Sequence, residues 1–159
     1  MIIRTKGIFH ERSEDAPFIG AMICAIDCKF NCPECFNQHL KELPILELDS
    51  LEIIDEITAN PFNKGVILSG LEWTLQPEEM KELVALTRLS YLDVMIHTGM
   101  LEEIFRYKFP DIYYLKNIYI KFGCYDKDLI CNNNICYGVK LASKNQYIIK
   151  TKGGFYEKD

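Results

Sequence analysis

The chain has no surplus of positive charge: 18 Lys and Arg stand against 23 Asp and Glu, a formal net charge of −5. Phosphate backbones and anionic bilayers are met by clustered Lys and Arg, so a general nucleic-acid or membrane-surface role is excluded. Long apolar runs are missing too. No stretch approaches the ~20 residues that a spanning helix needs, and nothing after Met1-Ile2-Ile3-Arg4-Thr5-Lys6 reads as a signal peptide. There is no repeat, low-complexity tract or linker, so the 159 residues are expected to form one domain with a core of its own. Cysteine, by contrast, is abundant. Seven cysteines form an odd set that fits badly with complete disulfide pairing. Without a secretion signal they point to a reducing compartment, hence a cytoplasmic location, and to metal chemistry or free thiols.

With 48% apolar and 26% charged residues the composition is globular. Short apolar strands alternate with amphipathic helices. Phe18 to Cys24 reads as a strand that runs into a cysteine-rich loop. Asp49-Ser50 can cap a helix from Leu51 to about Ala59, with Leu51, Ile54 and Ile57 on one face. Gly65 to Leu68 is a strand ending at Ser69-Gly70. Pro77 opens a helix to about Leu89, with Met80, Leu83, Val84 and Thr87 along one side. Tyr91 to Ile96 is a strand, Leu101 to Tyr107 a short helix, and Asn117 to Phe122 another strand; the Asn-rich tail from Gly123 to residue 159 reads as irregular. The alternation predicts an α/β fold with a mostly parallel sheet, and every candidate motif falls at the C-terminal end of a strand, where such folds hold ligands.

The chemistry concentrates in Cys28-Lys29-Phe30-Asn31-Cys32-Pro33-Glu34-Cys35, with gaps of three and then two residues. Thiolate sulfur is a soft ligand for iron–sulfur clusters and zinc. Three readings of the bare spacing compete. The cysteines can be unrelated buried thiols. They can join Cys24 around zinc, although structural zinc usually pairs two well-separated knuckles. Or they can hold three irons of a 4Fe-4S cubane and leave the fourth iron open; a ferredoxin-type cluster would want a fourth cysteine and gaps of two. Cys124, Cys131 and Cys136 match no second-cluster spacing and read as free thiols. Cys24 reads as a core residue, and His10 and His39 as surface or capping residues.

The Cys-x3-Cys-x2-Cys run resembles that of the radical SAM enzymes. Pro33 and the following Phe36-Asn37 are similar to one branch, the small activating enzymes of anaerobic ribonucleotide reductase, which are glycyl-radical activases. Glu14-Asp15-Ala16-Pro17 resembles the acidic turn before their first core strand. Ser69-Gly70-Leu71-Glu72 resembles the Thr-Gly-Gly-Glu turn that receives the amino group of S-adenosylmethionine, with Leu71 where the family has glycine. His97-Thr98-Gly99 resembles their aromatic-Thr-Gly turn, where Thr98 and Gly99 would offer a hydroxyl and a close backbone to the cofactor. The tail run from Phe122 to Leu129, with Ser143-Lys144-Asn145-Gln146, is similar to the end of these activases. Glu34 stands where many radical SAM enzymes carry an adenine-packing aromatic; Phe30 or Phe36 is the replacement at hand.

The resemblance implies an incomplete parallel β/α barrel, shorter than the ~250 residues of a full one, with the cluster at the C-terminal ends of its strands. It implies Cys28, Cys32 and Cys35 as cluster ligands, and Phe36, Asn37, Ser69, Gly70, Glu72, Thr98 and Gly99 around S-adenosylmethionine. Ser143, Asn145 and Gln146 would meet an extended segment of a partner. No residue is implied as general base or nucleophile. One electron delivered through the cluster would split S-adenosylmethionine into methionine and a 5′-deoxyadenosyl radical, which would take a hydrogen from a glycine of the large catalytic subunit of anaerobic ribonucleotide reductase. A flavodoxin- or ferredoxin-type donor would supply the electron. Two other outcomes stay open: a radical SAM enzyme acting on a peptide or small molecule, and a degenerate iron–sulfur module for electron transfer or protein binding.

Overall fold

The computed structural model describes residues 1–154. In chain order the strands are β1 (Ile2–Thr5), β2 (Gly7–Arg12), β3 (Gly20–Cys24), β4 (Leu46–Asp49), β5 (Gly65–Ser69), β6 (Asp93–His97), β7 (Lys116–Phe122), β8 (Ile135–Cys136), β9 (Val139–Lys140) and β10 (Tyr147–Lys152). The helices are α1 (Ser50–Ala59), α2 (Pro77–Leu89), α3 (Glu102–Lys108) and α4 (Pro110–Tyr113).

Six strands form one mixed sheet in the order β10-β7-β6-β5-β3-β2. The inner four, β3, β5, β6 and β7, are parallel; β2 and β10 lie antiparallel along the two edges. Every residue of β3 and β5 is buried. Both strands are covered on both faces, so they read as continuous apolar runs instead of alternating. The two faces separate cleanly. Ile23, Val66, Leu68, Val94 and Ile96 pack with Ile53 and Ile57 of α1 and Met80 and Leu83 of α2. Met22, Ile67 and Met95 face the other way, toward Ala16, Val139, Leu141 and Ile148. Helices therefore cover one face and the tail covers the other.

Asp49 caps α1, accepting from the Leu51 and Glu52 amides at 3.0 and 3.4 Å. The buried stripe is Ser50, Ile53, Ile54 and Ile57, and Leu51 is 59% exposed. The helix thus shows its i, i+3, i+4, i+7 face starting one residue earlier than the sequence suggests, with Ser50 in the first position. In α2, Met80, Leu83, Val84 and Thr87 are all buried, as the pattern predicts. Pro77 occupies its first turn, where a missing N–H costs nothing.

The tail is more regular at its end than its composition suggests: five residues of β10 pair with β7, with one register shift. The stretch between them is held by short turns and the β8–β9 hairpin. Residues 155–159 of that tail lie outside the described residues. Among the described residues no helix is long and apolar enough to cross a membrane.

Candidate metal centre

Four turns meet at the C-terminal ends of the four parallel strands. The cysteine hairpin follows β3, Gly70-Leu71-Glu72 follows β5, Thr98-Gly99 follows β6, and Gly123-Cys124 follows β7. They line one open cavity of about 230 Å³.

The hairpin is closed by the Cys35 amide donating to the Cys32 carbonyl at 3.1 Å. Pro33 and Glu34 occupy the middle of that turn, and Glu34 has φ of 59°. Proline second and positive φ third is the signature of a type II turn. Glu34 is exposed and serves the backbone, so it packs on nothing in the cavity. Asn31, at φ 49°, makes the other left-handed step, and Asn adopts that region more readily than most residues. The Asp27 carboxylate accepts from the Cys28 amide at 2.8 Å and fixes the start of the loop. Cys28, Cys32 and Cys35 are each half-buried and face the cavity. Burial pushes the Cys28 thiol above its ordinary pKa, and the Glu72 and Cys32 charges push the same way.

Beneath the hairpin the chain is pinned from several sides. The Ile26 amide donates to Gln76 Oε1 at 2.9 Å, while Gln76 Nε2 donates to the Arg4 carbonyl and to Glu79. Arg4 pairs with Glu79 at 2.6 Å. The buried Trp73 indole donates to the Ile23 carbonyl at 2.9 Å. Cys24 is buried in the core with its thiol pushed up to about 11 by desolvation, and it lies under the Gly70 turn, outside the cavity.

The Ser69–Glu72 turn takes its one left-handed step at Gly70, φ 80°. A Cβ there would overlap the Cys24 sulfur. Leu71 keeps ordinary backbone geometry and buries its side chain in the core, so the family's second glycine has no strained counterpart here. The Glu72 carboxylate is 96% hidden by its surroundings and fully engaged: it accepts from Thr74 Oγ1 at 2.7 Å, Thr98 Oγ1 at 2.6 Å and the Gly99 amide at 3.0 Å. Its own amide donates to the Asp27 carbonyl at 2.9 Å. Glu72 therefore locks three of the four turns together, and Thr98 spends its hydroxyl on that lock.

His97 ties a further wall, the Glu14–Pro17 turn, to Ser69. Its Nε2 lies 2.8 Å from the Asp15 carbonyl, which can only accept, so the proton sits on Nε2 and Nδ1 accepts from Ser69 Oγ at 2.8 Å. Burial, with the Lys121 charge adding to it, drives the imidazole pKa down to about 3. The Glu14–Pro17 turn is held against the cavity by this neutral ring and by the Arg12–Asp15 pair at 2.6 Å.

The tail residues serve the turn after β7. Gln146 is buried; its Nε2 donates to the Gly123 carbonyl and its Oε1 accepts from the Ala142 and Ser143 amides. Asn145 Nδ2 donates to the Cys124 carbonyl at 2.8 Å, and Ser143 Oγ accepts from the Asp126 amide. These side chains are spent inside the chain. Phe36 is 68% exposed and stacks with Tyr125 at 4.9 Å across the cavity mouth; Asn37 lies beside it on the rim.

Two cavity residues carry signals that motif reading passes over. Cys124 sits beside Cys32, and its thiol donates to the Gly99 carbonyl at 3.3 Å. Lys121 places a cation near Glu72, Cys32, Cys35 and Cys124, and burial lowers its pKa. Their position at the end of a parallel strand is the signal that could have found them. Cys131 and Cys136 do not line this cavity.

The donor set is cysteine, which suits a thiolate-held cluster. Among the described residues no three His, Cys, Asp or Glu side chains converge on a point for a single metal ion. A cubane makes no such demand, because each thiolate takes a separate iron.

A comparison with curated proteins finds no match. Residues 19–149, which include β3, the hairpin and all four turns, match the family described as a 4Fe-4S single cluster domain. By that match over most of its length, the chain belongs to the 4Fe-4S single cluster domain family and is an iron–sulfur protein.

Proposed function

We propose that this protein is a radical SAM activase of the kind that serves anaerobic ribonucleotide reductase. The observation that carries the reading is one hairpin presenting Cys28, Cys32 and Cys35 to a solvent-open cavity at the C-terminal ends of parallel strands. Cys28, Cys32 and Cys35 would hold the cluster. When reduced, such a cluster supplies the electron that splits S-adenosylmethionine into methionine and a 5′-deoxyadenosyl radical.

The chain's own residues bind and orient. The Ser69 and Gly70 backbone edges the cavity and would take the cofactor's amino group. Glu72 keeps the Gly70 and Gly99 turns at fixed separation, so its role is positional. Gly99, without a side chain, leaves room against which Phe30 packs, and Phe30 or Phe36 would cover the adenine. Lys121 adds a cation suited to a carboxylate. We read the open six-stranded sheet as an incomplete barrel whose exposed mouth admits a protein loop. On that reading the partner is the large reductase subunit, a flavodoxin- or ferredoxin-type protein delivers the electron, and both act in the cytoplasm. Ser143, Asn145 and Gln146 would contribute to the partner contact through the turn they brace.

The test is direct. Anaerobically reconstituted protein given reductant and S-adenosylmethionine is expected to form 5′-deoxyadenosine, and Cys32→Ala to form none. Equal product from Cys32→Ala would refute the reading.

A further inference from the structure

Cys124 is placed with more care than a spare thiol needs. It follows Gly123, whose φ of 103° turns the chain out of β7. Three side-chain bonds hold that turn: Gln146 to the Gly123 carbonyl, Asn145 to the Cys124 carbonyl, and Ser143 to the Asp126 amide. The thiol projects into the same cavity as the three hairpin cysteines and stands beside Cys32. Its space exists because residue 99 is glycine: a Cβ there would come within 2.9 Å of the Cys124 sulfur and 3.0 Å of the Phe30 ring. The sequence from β7 through Gln146 thus delivers a fourth sulfur to a site whose hairpin offers three.

We propose that Cys124 is the fourth thiolate of the cluster in the resting protein, bound to the iron that the hairpin leaves free. Binding costs the thiol its proton, which goes to solvent, and no electron moves. The proposal rests on the hairpin holding the cluster and is independent of S-adenosylmethionine cleavage. It adds a consequence: a ligand for that iron must displace Cys124. The Fe–S bond then breaks, the incoming ammonium gives up a proton to bind through nitrogen, and the departing thiolate takes one up. Cys124 would therefore protect the labile iron until the ligand arrives.

The experiment uses the full chain, reconstituted without oxygen and free of S-adenosylmethionine. An iron without a protein ligand is the one lost on mild oxidation. Titrated with ferricyanide, the wild type should keep its four-iron cluster, whereas Cys124→Ala should develop the EPR signal of a three-iron cluster. Equal conversion in both proteins overturns the proposal. Mössbauer spectroscopy of the wild type alone covers the case in which the variant assembles no cluster. Four thiolate-coordinated irons support the proposal, and one distinct iron with oxygen or nitrogen ligation overturns it, as does a Cys32–Cys124 disulfide in cluster-loaded protein. S-adenosylmethionine should bind Cys124→Ala several-fold more tightly than wild type. A wild type with four thiolate-bound irons and no 5′-deoxyadenosine would uphold this proposal while refuting the activase reading.

Discussion

His97 shows how one side chain sets both a wall of the cavity and a pH response. Its neutral ring donates to Asp15 and accepts from Ser69, and its pKa falls to about 3 because burial disfavours the imidazolium. The unfolded chain takes up this proton near the ordinary histidine pKa of about 6.5, whereas the folded one does not. Stability is therefore complete above about pH 6.5 and declines as pH falls below it, by at most ~1.4 kcal/mol per pH unit from this residue. Urea midpoints of the cluster-free protein, compared between about pH 7 and about pH 5, should fall less for His97→Gln than for wild type. An equal fall would assign the acid sensitivity elsewhere. Lys121 gives a second residue-scale prediction. Its cation lies near Cys32, Cys35 and Cys124, so it favours an added electron on a cluster they hold. Lys121→Met should move the midpoint potential negative, on the order of 50 mV for a charge in a partly screened site; an unchanged or more positive midpoint would put Lys121 outside the cluster's field. Residues also show where reading from sequence reaches its limit. The cysteine spacing is local and announces itself. Whether Leu71 is strained depends on which residue of its turn takes positive φ, and only the structure assigns that step to Gly70.

At the scale of elements, the legible ones are those whose pattern is long or capped. α2 runs over the predicted Pro77–Leu89 because a proline start and a buried stripe agree. β3, β5, β6 and β7 are apolar runs, and they emerge within two residues of their predicted bounds. The strands that sequence leaves undecided are short or sit at edges. β1 alternates over only four residues, and β2 is half-exposed with a register shift near Glu11, φ 56°. Such segments acquire their state from tertiary pairing rather than propensity. The Ser143–Gln146 turn is legible as a motif, but its work is not: each side chain reaches across the fold to the turn after β7. That assignment makes a prediction. Gln146→Ala leaves the buried Gly123 carbonyl and two amides without their partner, which should cost roughly 2 kcal/mol. It should also speed iron loss from the loaded protein. Both are read by denaturation and by chelator challenge; unchanged stability would mean that the turn holds itself.

For the whole molecule, the sheet explains why separate motifs form one site. Parallel strands put their C-terminal ends on one side, so turns spaced along some hundred residues of chain meet there without long connections. Glu72, His97 and Gln146 then lock neighbouring turns to each other, and none of these cross-links has a sequence signal of its own. The hairpin is left on the outer side of this frame with its sulfurs turned inward. What those sulfurs hold decides the protein's chemistry. Iron and acid-labile sulfide, measured per chain in oxygen-free reconstituted protein, should each approach the four of a 4Fe-4S cluster, and should collapse when Cys28, Cys32 and Cys35 are replaced together by alanine. Zinc in place of iron, or an iron content that survives loss of all three cysteines, would contradict the account.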